Sequence, residues 1–160
     1  MSHWTSPRPH LLRRLGAAAY DTLICAALVM AVGLTFTLLM GGVTDDMRGP
    51  GPAGQALLQL ASIAVPAAYF LGSWTRGGQT VGMRPWRLRV VDATGGAISL
   101  KAATIRLVTA LLSWAPLGLG FWWALFDRDG LTWHDRLSRT HLVRQGPLTA
   151  TEPALAHPAL

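Results

Sequence analysis

From Leu15 to Val43 the chain carries a single charged residue, Asp21. That run exceeds the ~20 apolar residues a membrane-spanning helix needs. A second block, Ala56 to Trp74, and a third, Leu107 to Phe126, carry no charge at all. Hydrophobic residues make up 51% of the 160 and charged residues only 14%, with the charges gathered between the apolar blocks. At this length the chain reads as one domain, and the distribution predicts a membrane domain over residues 11–144.

The first block follows Arg8, Arg13 and Arg14 as a signal sequence follows its basic region. It is longer than the ~7–15 apolar residues of a secretory signal, so a retained helix is predicted. Cys25 is the only cysteine, which excludes an intrachain disulfide.

The net charge of +6 raises the question of nucleic acid, but the positions of the charges answer it. Arg8, Arg13 and Arg14 precede the first block; Arg76, Arg84, Arg87, Arg89, Lys101 and Arg106 lie between the second and third; Arg128, Arg136, Arg139 and Arg144 follow the third. Basic residues beside membrane segments mark cytoplasmic loops and suit anionic headgroups. The partner expected is therefore a bilayer with anionic headgroups, and not nucleic acid. GGVTDDMRGPGPAG, residues 41–54, has turn chemistry and few basic residues, which places it outside. An inner-membrane, multi-pass chain with a cytoplasmic N-terminus follows.

The third block breaks this regularity. Pro116, Gly118 and Gly120 interrupt it, and one crossing would put the basic C-terminal stretch outside. Two arrangements stay open, a re-entrant hairpin and a kinked span, with Trp114, Trp122 and Trp123 as interfacial anchors. Between the second and third blocks, Trp86, Leu88 and Val90 alternate with Arg87 and Arg89, DATGG supplies a turn, and AISL a return strand. The expected fold class is an all-α membrane protein with two transmembrane helices, a third broken segment and a small cytoplasmic β-hairpin. Residues 1–10 and 145–160 lack periodicity and are expected to be disordered.

Asp21 is the residue that needs explaining. On a helix it shares a face with Arg14 but stands about 10.5 Å further along the axis, too far for a direct salt bridge. An acid at the centre of a membrane helix costs about 2.5–3.5 kcal/mol on insertion scales. The expected partner is Arg106, at similar depth on the third segment, with Thr104 and Thr109 as donors. Asp21 then either binds or relays a cation or proton, or forms a structural ion pair.

In FDRDGLTWHD, Asp127, Asp129, His134 and Asp135 cluster. Position twelve from Asp127 is Ser138, so a calcium loop fails. Thr132 and Asp135 instead have capping-box spacing, predicting a short helix through Arg139. GGQTVG, residues 77–82, follows a membrane segment rather than a strand and reads as a turn. No catalytic motif is present, so neither enzyme activity nor a cofactor or metal is expected.

Together these stretches resemble the RDD family of bacterial membrane proteins, named for one arginine and two aspartates. RRLGAAAYD is similar to the family's opening and maps the arginine onto Arg14 and the first aspartate onto Asp21. GGQTVGMRPWRLRVVDATGGAISLKAATIR is similar to the central loop, with Pro85 standing where an apolar residue is expected. WALFDRDGLTWHDRLSRTHLV resembles the C-terminal signature and puts the second aspartate at Asp135. The resemblance implies an integral membrane protein for which ion or solute transport is proposed. The rival expectation is a non-transporting scaffold for partner membrane proteins. Ala27 and Ala31, spaced for close helix contact, suit a homo-oligomer or a partner membrane protein under either reading.

Overall fold

A computed structural model describes residues 10–39, 51–114, 123, 127 and 131–145. The element order is α1 (Leu11–Leu39), α2 (Pro52–Gly77), β1 (Leu88–Asp92), α3 (Leu100–Trp114), α4 (Trp133–Ser138) and β2 (Thr140–Arg144). Two of these, α1 with 29 residues and α2 with 26, are long and apolar enough to cross a membrane.

The burial of α1 is inverted relative to a helix packed in water. Its buried residues are Arg14, Ala17 and Asp21, a stripe at spacings of three and four. Leu12, Leu23, Met30, Leu34 and Leu38 all face outward. A polar inner stripe under an apolar outer surface suits a solvent of hydrocarbon rather than water.

α2 begins with Pro52 in its first turn, where the missing N–H costs nothing. It ends at Gly78, which has φ 67° and returns its N–H to the Trp74 carbonyl at 3.1 Å. Gly78 also docks the strand, because its carbonyl accepts from Val90 N at 2.7 Å and a Cβ there would stand 2.6 Å from the Val90 carbonyl oxygen. A turn from Val81 to Arg87, with Arg87 at φ 53°, leads into β1. Trp86 therefore precedes the strand in which the alternation had placed it.

The strand pairing corrects a second expectation. β1 pairs antiparallel with β2, from Leu88 opposite Arg144 to Asp92 opposite Thr140, and not with AISL. Asp92 explains the difference. Its Oδ1 accepts from Thr94 N and Gly96 N, both at 2.8 Å, so the chain turns sharply after β1. Ser99 then caps α3, accepting from Ala102 N at 3.2 Å, and the stretch assigned to a return strand becomes a helix start. Asp92 is held below the usual carboxylate range foremost by the bond it accepts from the Thr94 hydroxyl at 2.7 Å, and also by these backbone bonds.

The core lies where the sheet meets the helices: Leu88, Val90 and Ala103 are fully buried, beside Trp74, Met83 and Ile98. α3 starts at Leu100, before the predicted block, and its 15 residues rise about 22 Å, short of a hydrocarbon core of ~30 Å. The proposed break at 116–120, residues 41–50 of the loop expected over 41–54, and all but His10 and Gln145 of the segments expected to be disordered lie outside the described residues; Pro52 to Gly54 belong to the first turn of α2 rather than to that loop. β2 beside β1 shows that the chain leaving Trp114 has returned, by Thr140, to the end of the molecule where α2 finishes.

Candidate functional site

Asp135 is held in place by a helix start legible in the sequence. Thr132 caps α4 by accepting from Asp135 N, and Asp135 Oδ2 accepts from Thr132 N at 3.2 Å, completing the predicted capping box. Arg139 ends the helix in the left-handed region at φ 53°. This fixes the Asp135 carboxylate, 1% exposed, between two arginines.

Arg106 Nη1 of α3 donates to Asp135 Oδ1 at 2.6 Å and to Thr140 Oγ1 at 2.7 Å. Arg14 Nη1 of α1 donates to Asp135 Oδ2 at 3.2 Å. The Arg106 guanidinium also lies 5.4 Å from the Trp74 ring centroid, so α2 joins through a cation–π contact. One carboxylate thus ties α1 and α3 to the C-terminal segment. Burial alone would raise the Asp135 carboxyl; Arg106 and Arg14 outweigh it and hold the group well below the usual carboxylate range.

His134, buried beside this trio, is pushed down to about 3, first by burial and then by Arg106, with Asp135 opposing. The imidazole is therefore neutral in the fold, whereas the unfolded chain takes up a proton below its ordinary value of 6.5. Stability should be flat above that value and fall as pH drops from about 6.5 toward 4, by up to ~1.4 kcal/mol per pH unit. Asp135 adds to the loss only below its own unfolded value of 3.8. Thermal unfolding in detergent across this window should show the slope in the parent chain and a flatter profile in His134→Gln.

Asp21 has other partners. Arg106, expected to meet it, is committed to Asp135 and Thr140. Thr104 and Thr109 bond the Leu100 and Ile105 carbonyls of their own helix, as helical threonines commonly do. The Asp21 carboxylate, 4% exposed, instead accepts from Tyr69 Oη at 2.7 Å, Thr80 Oγ1 at 2.5 Å and Gly82 N at 3.0 Å. Tyr69 is held in turn by Val81 N at 3.0 Å, and Thr80 by Met83 N at 3.2 Å. No cation pairs with Asp21 among the described residues.

Sequence reasoning missed Tyr69, Thr80 and Gly82. The signal lay in GGQTVG, read only as a turn. A buried acid needs donors, and the nearest loop offers a hydroxyl and a free backbone N–H. Thr80→Val keeps the shape but removes the donor to a charged group, so a loss of about 1.5–3 kcal/mol is expected, measured as a lower melting temperature.

Asp21, Arg14 and Arg106 share a cavity of about 260 Å³ between α1 and α3, with Ala18, Trp74 and Ala110 in its wall. Elsewhere in the acidic cluster, Asp127 accepts from Leu131 N at 2.8 Å and from Arg136, so its geometry is that of a loop brace. Among the described residues, no three His, Cys, Asp or Glu side chains gather as metal ligands.

Of the three residues mapped from the resemblance, Arg14 and Asp135 are in direct contact, and Asp21, which lines a cavity with Arg14, is held by a separate set of bonds. No curated protein and no solved structure matches the chain. The model of the RDD family matches residues 8–139, and the chain belongs to that family.

Proposed function

We propose that this chain is a multi-pass inner-membrane protein with a cytoplasmic N-terminus, that it moves a proton or another small ion or solute across the bilayer, and that Asp21 is the group that binds it. The observation that carries this reading is a buried carboxylate with no ion-pair partner among the described residues, lining a cavity between helices whose outer surfaces are apolar. Ionisable groups at membrane depth are expensive and mark binding or relay sites. The Arg14, Arg106 and Asp135 trio has a different role: it braces the cytoplasmic ends of α1 and α3 beneath the two-stranded sheet. The return of β2 to β1 supports a C-terminal segment on the same side as the basic central loop, in keeping with the charge bias.

The test is flux in proteoliposomes under proton, sodium and potassium gradients. Parent protein should dissipate at least one gradient, and Asp21→Asn should abolish that flux while remaining monodisperse. Absence of flux under every gradient, with a co-purifying membrane protein, would overturn transport in favour of a scaffold.

A further inference from the structure

Two groups of opposite charge line the cavity, and neither is fully compensated among the described residues. Asp21 Oδ1 accepts two hydrogen bonds, from Tyr69 and Gly82, and Oδ2 accepts one, from Thr80. A carboxylate offers about four acceptor positions, so one remains on Oδ2. Across the cavity, Arg14 and Arg106 share the single carboxylate of Asp135, which leaves that trio with one positive charge in excess. Arg106 Nε is buried and meets no acceptor among the described residues. The walls between the two ends are apolar, with Phe70, Ala110 and Leu111 among them.

We propose that this cavity binds a zwitterion whose primary ammonium donates to Asp21 and whose acidic group, carboxylate or phosphodiester, accepts from Arg106 and Arg14. A small cation alone answers Asp21 and leaves the excess arginine charge in place. An anion alone does the reverse and meets Asp21 in the same space. A ligand with both charges compensates both ends, through charge-assisted hydrogen bonds that are strong where water is scarce. The volume, about 260 Å³, suits a small molecule or a headgroup rather than a drug-sized ligand.

This chemistry has two sources, a free amino acid or the headgroup of phosphatidylethanolamine. A lipid would leave its acyl chains against the apolar outer faces of α1 and α3, where Leu23 and Leu111 are exposed. The proposal deepens the transport reading and rests on Asp21 being its working carboxylate, yet equilibrium binding is measured separately from flux. Binding without flux keeps this inference and overturns transport; proton flux without zwitterion binding does the opposite.

The experiment uses the full chain purified in detergent. Phosphatidylethanolamine and phosphatidylglycerol, which has no amine, are titrated in native mass spectrometry, and a mixture of labelled amino acids is tested by equilibrium dialysis. One of the two zwitterions should bind saturably, and Asp21→Asn should weaken it at least tenfold. Ala110→Phe, which fills the cavity without touching either charge, should weaken it as much and serves if Asp21→Asn does not fold. Retention of phosphatidylethanolamine assigns a lipid, and retention of an amino acid assigns a soluble ligand. Phosphatidylglycerol held as tightly as phosphatidylethanolamine, neither zwitterion held, or binding unchanged in Ala110→Phe would overturn the proposal.

Discussion

Asp135→Ala should leave little folded protein, seen as loss of the monodisperse peak in size-exclusion chromatography. The substitution strands two guanidiniums, Arg14 at 9% exposure and Arg106 at 3%, facing each other without a counter-charge. Removing one partner of a buried ion pair costs about 3–5 kcal/mol, and loss of the capping box adds to it. Against a total stability of about 5–15 kcal/mol, that is enough to unfold a domain at the lower end of the range. The effect should be asymmetric. Arg14→Met alone should be milder, because Asp135 keeps Arg106 and the Thr132 N–H. Arg14→Met added to Asp135→Ala should recover part of the loss by removing one stranded charge. An Asp135→Ala chain as stable as the parent would show that the trio does not organise this end of the molecule.

Gly82→Ala is expected to separate the 80–83 turn from α1. A Cβ at Gly82 would stand 2.5 Å from the Ala17 carbonyl oxygen and 2.7 Å from the Asp21 carboxylate. Neither yields easily, because one is helix backbone and the other is also held by Tyr69 and Thr80. The demand is for space, since Gly82 does not adopt the left-handed backbone that Gly78 does. Overpacking of this kind costs about 1–3 kcal/mol. Displacing Gly82 N from Asp21 adds about 1.5–3 kcal/mol for a lost bond to a charged group. A lower melting temperature, with hydrogen exchange accelerated at Thr80 to Met83, is the expected result. Unchanged exchange there would mean that the turn is not seated on α1.

How much of this could be read in advance varied with the range of the interaction. The capping box at Thr132 was legible because its two groups are three residues apart and their geometry is local. The two long apolar helices were legible because apolar length alone decides them. The hairpin was misread. Alternation identified β1 but carries no information on its partner, and Asp92 and Ser99 diverted the following residues into a turn and a helix cap. Asp21 was correctly read as an acid in need of partners, but Arg106 was assigned to it by depth along the chain. Arg106 instead found Asp135, and Asp21 found hydroxyls and a backbone N–H.

The sequence by itself determined the two long apolar helices, the buried acid within the first, the short capped helix near the C-terminus and the family. These follow from periodicity, apolar length and contacts a few residues apart, which need no knowledge of packing. Only the tertiary structure decided which cation meets which acid, which strand pairs with β1 and that Asp21 and the two arginines share one cavity. Arg14 and Asp135 are 121 residues apart, and the chain offers several arginines of the same chemistry. Helical period assigns a side chain to a face, but the choice among equivalent partners is made by where the helices and the sheet bring those faces together.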